Sequence, residues 1–81
     1  MPDEAALRDF ARLAIRRGRL PRLKPDRVWG GPGCKRPCAV CEKPITLDQT
    51  EYEMAFDPCG VDLFHLHIYC FAAWEMERTK A

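Results

Sequence analysis

Cys38-Ala39-Val40-Cys41 and His67-Ile68-Tyr69-Cys70 are the two stretches on which the fold turns, and 25 residues separate them. Two residues between donors let one tight turn aim both side chains at a single ion. In the first pair that turn, running on into Glu42-Lys43-Pro44-Ile45, is also expected to point backbone N–H groups at the thiolate sulfurs. In the second pair, His67 and Cys70 stand three apart, on one face of the opening turn of a helix. Together they make a Cys3His set, a complete tetrahedral complement for one structural Zn2+ with no position left for a substrate. Three thiolates and a neutral imidazole leave the zinc site anionic. That suits the positive N-terminal end of the following helix, and Lys35 and Arg36 precede the first pair.

The remaining donors are placed around this set. Cys34 lies in a Gly/Pro stretch four residues before Cys38 and is expected to be free, or to substitute for one of the four. Cys59 falls in a turn, far from the metal, and is expected to be free. His65 lies in a strand and reads as a surface group or one that stands behind a ligand. The chain has 81 residues and five cysteines. An odd count without an export signal points to metal binding rather than to a disulfide framework. So short a chain buries only a thin core, and a metal staple answers that need.

Working outward, residues 3–17 read as an amphipathic helix with Asp3 as N-cap. Leu7, Phe10, Ala11, Ala14 and Ile15 share one face, and Arg8, Arg12 and Arg16 form a stripe beside it. Gly18 is the expected C′ stop, and Pro21 prevents continuation. Residues 18–37 hold four prolines and four glycines and have no period. They read as an irregular connector, neither helix nor strand, pinned by Leu20, Leu23, Val28 and Trp29. From Thr50 to Leu66 a β-hairpin is expected. Tyr52, Met54 and Phe56 form its buried side, and Glu51, Glu53, Asp57 and Asp62 its solvated face. Asp57-Pro58-Cys59-Gly60 fits a type I turn between the strands. Residues 67–79 suit a helix with Phe71 and Trp74 inward and Glu75, Glu77 and Arg78 outward. The predicted architecture is α+β: a basic helix over 1–18, a Pro/Gly-rich linker over 19–37, and a zinc-held unit over 38–81.

The order of knuckle, hairpin and helix, with two ligands at each end, resembles a treble-clef zinc finger. Cys38-Ala39-Val40-Cys41-Glu42-Lys43-Pro44-Ile45 and Phe64-His65-Leu66-His67-Ile68-Tyr69-Cys70-Phe71 resemble the first finger of LIM domains and the DNA-break-sensing fingers of poly(ADP-ribose) polymerases. Trp29-Gly30-Gly31-Pro32-Gly33 before a Cys-x2-Cys is similar to small bacterial zinc-finger-like proteins. The resemblance implies a structural zinc and a binding role. It also has limits. Ala72-Ala73-Trp74-Glu75-Met76 supplies none of the second ligand set of a LIM domain. Thr46 to Glu51 lacks the Gly and Arg that face DNA in the polymerase fingers, and Glu42 stands where those families usually have Gly.

Charge supplies the remaining clue. Residues 1–37 carry ten Lys/Arg against four acids, whereas residues 38–81 carry three against eight. Arg8, Arg12, Arg16, Arg17, Arg19, Arg22, Lys24 and Arg27 are candidate phosphate contacts, which points to nucleic-acid binding. A protein-interaction adaptor is the alternative, through the apolar helix face or the acidic hairpin. Gly30-Gly31-Pro32-Gly33-Cys34-Lys35 lacks the spacing and the Ser/Thr of a phosphate loop. No cysteine is accompanied by the base and cleft that a nucleophile needs. The expectation is therefore a non-enzymatic module without a small-molecule substrate. There is no apolar run long enough for a membrane span. The N-terminal stretch lacks a secretory h-region, and Asp3, Glu4 and Asp9 count against a mitochondrial presequence, so a cytoplasmic location is expected.

Overall fold

The computed structural model describes residues 3–57 and 63–80 as a small α+β fold. In chain order it contains α1 (Glu4–Arg16), β1 (Arg27–Pro32), β2 (Thr50–Ala55), β3 (Leu63–His67) and α2 (Ile68–Arg78). The three strands form one antiparallel sheet in the order β1-β2-β3. Of the expected turn at Asp57-Pro58-Cys59-Gly60, all but Asp57 lies outside the described residues, as do Cys59 and Asp62.

α1 starts where its cap allows. The Asp3 carboxylate accepts from the Ala6 N–H at 2.8 Å, satisfying one of the helix's orphan donors. It stops at Gly18, whose φ of +76° reverses the chain, while the Gly18 and Arg19 N–H groups donate to the Ile15 and Ala14 carbonyls. Leu7, Ala11 and Ala14 are buried against α2, and the two alanines permit a close approach of the helices. Phe10, expected on that buried face, is exposed at its edge.

Two further corrections concern the connector. Residues 27–32, read as irregular, form an edge strand paired with β2 from Arg27 opposite Ala55 to Pro32 opposite Thr50. All six of its residues are exposed. Ladder hydrogen bonds hold this strand, not a buried face, so it leaves no alternation in the sequence. Pro32 is tolerated because the strand lies at the edge. Of the four residues expected to pin the segment, Leu23, Val28 and Trp29 are exposed. Leu20, the fourth, is buried, and the Trp74 indole N–H donates to the Pro21 carbonyl at 3.0 Å. Gly33 follows β1 and is buried. Any Cβ there would fall inside contact distance of the Thr46 carbonyl, so no other residue fits.

The sheet face bearing Tyr52, Met54, Phe64 and Leu66 packs on α2. Met54, Leu66 and Trp74 are fully buried there, and Tyr52 meets Phe71 edge-on at 4.9 Å. On the opposite face Glu51 is 2% exposed, which corrects the expected solvated row. Glu77, expected to point outward, is 3% exposed and sits between the two helices. It accepts from Arg8 Nε at 2.9 Å, Arg12 Nε at 3.0 Å and Lys80 Nζ at 3.1 Å. The burial of this carboxylate is matched by three cationic donors.

Candidate metal centre

A tight loop presents the first two cysteines. The Cys38 N–H donates to the Lys43 carbonyl, and the Glu42 N–H to the Cys38 carbonyl, each at 2.9 Å. A Pro37–Pro44 bridge closes the base of the loop. The turn needs a left-handed residue after Cys41, and Glu42 adopts φ +66°, a conformation glycine would take without strain. The Val40 N–H points at Cys38 Sγ at 3.4 Å, the backbone-to-sulfur contact expected of this turn. Donation from Ala39 N–H to the His65 carbonyl at 2.8 Å fastens the loop to β3.

The other two donors come from the junction of β3 and α2. His67 ends the strand and is the N-cap of the helix, and Cys70 lies in the first helical turn. One donor atom from each of Cys38, Cys41, His67 and Cys70 lies within 4.8 Å of the others, so the cluster could hold a metal ion. His67 Nδ1 is 3.4 Å from Cys41 Sγ and 3.8 Å from Cys70 Sγ. Zn–S and Zn–N bonds of ordinary length at a tetrahedral angle place sulfur and nitrogen about 3.6 Å apart. The observed separations bracket that value, and the residues present therefore fit zinc. Cys38 and Cys70 are buried, while Cys41 and His67 are half-buried.

Electrostatics within the cluster point the same way. Hydrogen bonding from Cys70 draws the Cys38 thiol down to about 4, with backbone N–H groups adding to the effect against the cost of burial. Cys70 is pushed up because it donates to Cys38 and is itself buried. Burial and the Cys38 charge push Cys41 up. A cation among the three sulfurs would favour the thiolate form of each.

Gln49 is the residue that motif spacing does not disclose. Its side-chain oxygen accepts from the Thr46 N–H at 2.9 Å and lies 3.0 Å from His67 Nε2. Being committed to acceptance, it requires the proton on Nε2, which leaves the Nδ1 lone pair facing the sulfurs. Cys34 stays outside the cluster, exposed, with its Sγ 3.8 Å from the Pro32 carbonyl. His65 also stays outside, with Nδ1 3.2 Å from Glu51 Oε2.

The eight candidate phosphate contacts divide into two groups. Arg8 and Arg12 are engaged with Glu77, and Arg12 also with Asp9 at 2.7 Å. Arg19 pairs with Glu42 at 2.5 Å, and Arg22 donates to the Lys80 carbonyl at 3.2 Å. Arg16, Arg17, Lys24 and Arg27 are exposed and form no ion pair among the described residues. No known protein family, curated protein or solved structure matches this chain. No described helix is long and apolar enough to cross a membrane.

Proposed function

We propose that this chain is a non-enzymatic, treble-clef zinc module in which one structural Zn2+ on Cys38, Cys41, His67 and Cys70 fixes a binding surface. The observation that carries the reading is the convergence of four protein donors from the knuckle and the β3–α2 junction. A full shell of protein donors suits scaffolding and leaves the ion no coordination position for chemistry. Metal analysis of variants tests it. Cys38→Ser or Cys70→Ser should lose metal and fold together, while Cys34→Ser should retain both; release of the ion by Cys34→Ser would show that the ligand assignment is wrong.

The binding role we assign to this module is recognition of nucleic-acid phosphates by Arg16, Arg17, Lys24 and Arg27. These four cations are supported by their exposure and by the absence of an ion pair with any of the described residues. Arg8 and Arg12 are paired with Glu77 and are left out of the proposed phosphate contacts for that reason. Binding to generic DNA and RNA should weaken steeply with salt, and Arg16→Ala with Arg17→Ala should flatten the slope by about one unit per lost contact. Failure to bind either polymer at low salt would retire this reading.

A protein-adaptor reading has its own support in β1, whose outer edge is unpaired among the described strands and which carries exposed Val28 and Trp29. An extended peptide could add to that edge as a fourth strand. Trp29→Ala should abolish capture of such a peptide while leaving nucleic-acid binding unchanged.

A further inference from the structure

Glu51 and Glu53 of β2 and His65 of β3 form a second group of donors, which the thiolate site does not use. Glu53 stands opposite His65 and Glu51 opposite His67, so the period of two puts all four side chains on one face of the sheet. One donor atom from each of Glu51, Glu53 and His65 lies within 4.8 Å of the others. Glu51 is the deepest of the three, and its Oε2 is the atom near His65 Nδ1. Its other oxygen, Oε1, is also buried, and no donor of the described residues reaches it. No Lys or Arg of the described residues pairs with Glu51 or Glu53. A buried carboxylate with a bare oxygen, beside a second carboxylate, is unfavourable unless something cationic joins them.

We propose that Glu51, Glu53 and His65 form a second divalent-cation site. Two carboxylates and a neutral imidazole bring two negative charges, which a divalent ion balances. A proton on His65 would balance only one of them and would still leave Glu51 Oε1 bare. Oxygen and nitrogen donors without sulfur suit Zn2+, Co2+ or Mn2+ and disfavour soft ions such as Cu+. The contrast with the first site is one of completeness. Three protein donors leave the ion at least one open position, as thiolate closure does not. Glu53 and His65 border a groove of about 1160 Å³ that Arg36 also lines, and the open position would take water from it. The two sites are neighbours, since Glu51 is the cross-strand partner of His67. The second site stands on its own donors and does not depend on which ion occupies the first.

Co2+ is a suitable probe because its spectrum reports its donors. The 81-residue chain, loaded with one equivalent of Zn2+, is dialysed against Co2+ and analysed for both metals. The expected result is one Co2+ per chain with zinc retained, showing weak d–d absorption and no sulfur-to-cobalt charge-transfer band. Glu53→Gln and Glu51→Gln should each weaken Co2+ binding more than about tenfold, since loss of a direct donor should exceed loss of an outer partner. Retained zinc in the variants shows that the fold survives, and Glu53→Gln, at a half-buried position, guards against collapse of the buried one. No Co2+ bound beyond what enters the thiolate site would overturn the proposal, leaving Glu51 and His65 as an ion pair. Binding unchanged in both variants would overturn it equally.

Discussion

His67 shows how one ring is committed to one task. Gln49 accepts from the Thr46 backbone and so faces Nε2 only as an acceptor, which fixes the His67 tautomer and leaves Nδ1 to the sulfurs. Gln49→Ala removes that constraint without touching a ligand. Metal affinity should fall by about 10–100-fold, measured in competition with a chromophoric chelator. Gln49→Glu keeps an acceptor at the same place and should recover most of the loss; an unchanged affinity in Gln49→Ala would exclude a positioning role. The four donors themselves were legible from two x2 spacings, because ligand pairs in turns and helix starts are local geometry. Gln49 was not, since a glutamine before a strand is ordinary and its role depends on register with a histidine 18 residues away. Glu51 was misread for a related reason: alternation with Tyr52 and Met54 assigns it to the other face correctly, but says nothing of what covers that face.

At the scale of elements, Glu77 joins the helices. It projects from α2 between Arg8 and Arg12 of α1, and these cations, Arg8 foremost, hold its carboxyl down to about 2 from the ordinary 4.5, against the opposing effect of burial. Because the folded value lies below the ordinary one, the unfolded chain takes up the proton first as pH falls. The contribution of Glu77 is therefore complete above about pH 4.5 and is lost as pH approaches 2. Glu77→Gln should cost about 2 kcal/mol near neutrality, the scale of hydrogen bonds to charged groups. In urea unfolding with zinc present, the gap between wild type and Glu77→Gln should begin to narrow as the pH falls toward 4.5, with bound zinc measured at each pH so that acid release of the ion is told apart from it. A gap independent of pH would mean that the carboxylate charge contributes nothing. Both helices and the paired strands of the hairpin were legible from local signals, α1 from its Asp3 cap and its period and β2 from the alternation of Tyr52 and Met54 with Glu51 and Glu53. β1 and the inward turn of Glu77 were not, since each depends on a partner distant in sequence: the β2 edge for one and two arginines of α1 for the other.

The whole molecule has little with which to stay folded apart from these parts. Its buried side chains form one cluster that runs from Leu7 and Ala14 of α1, through Val40 and Ile45 near the knuckle, to Met54, Leu66 and Trp74. α2 packs against α1, β2 and β3 alike. It presents Cys70 to the Cys3His cluster, Trp74 to the sheet and the Pro21 carbonyl, and Glu77 to α1. Displacement of its first turn from the knuckle would therefore disturb all three contacts together. Structural zinc sites in small modules contribute about 10–16 kcal/mol on binding, against a net stability of about 5–15 kcal/mol for ordinary domains. A zinc ion on the Cys3His cluster, as proposed, would thus contribute as much as everything it supports. Chelation of the reduced protein should abolish near-ultraviolet circular dichroism and α1 helicity in a single transition, and zinc should restore both. If α1 survived chelation while the knuckle melted, the helices would form a unit of their own, and the coupling through α2 would be wrong. If the apo-protein instead kept its full near-ultraviolet spectrum, with an unchanged Tm, the ion would not be the fastening that the Cys3His geometry implies.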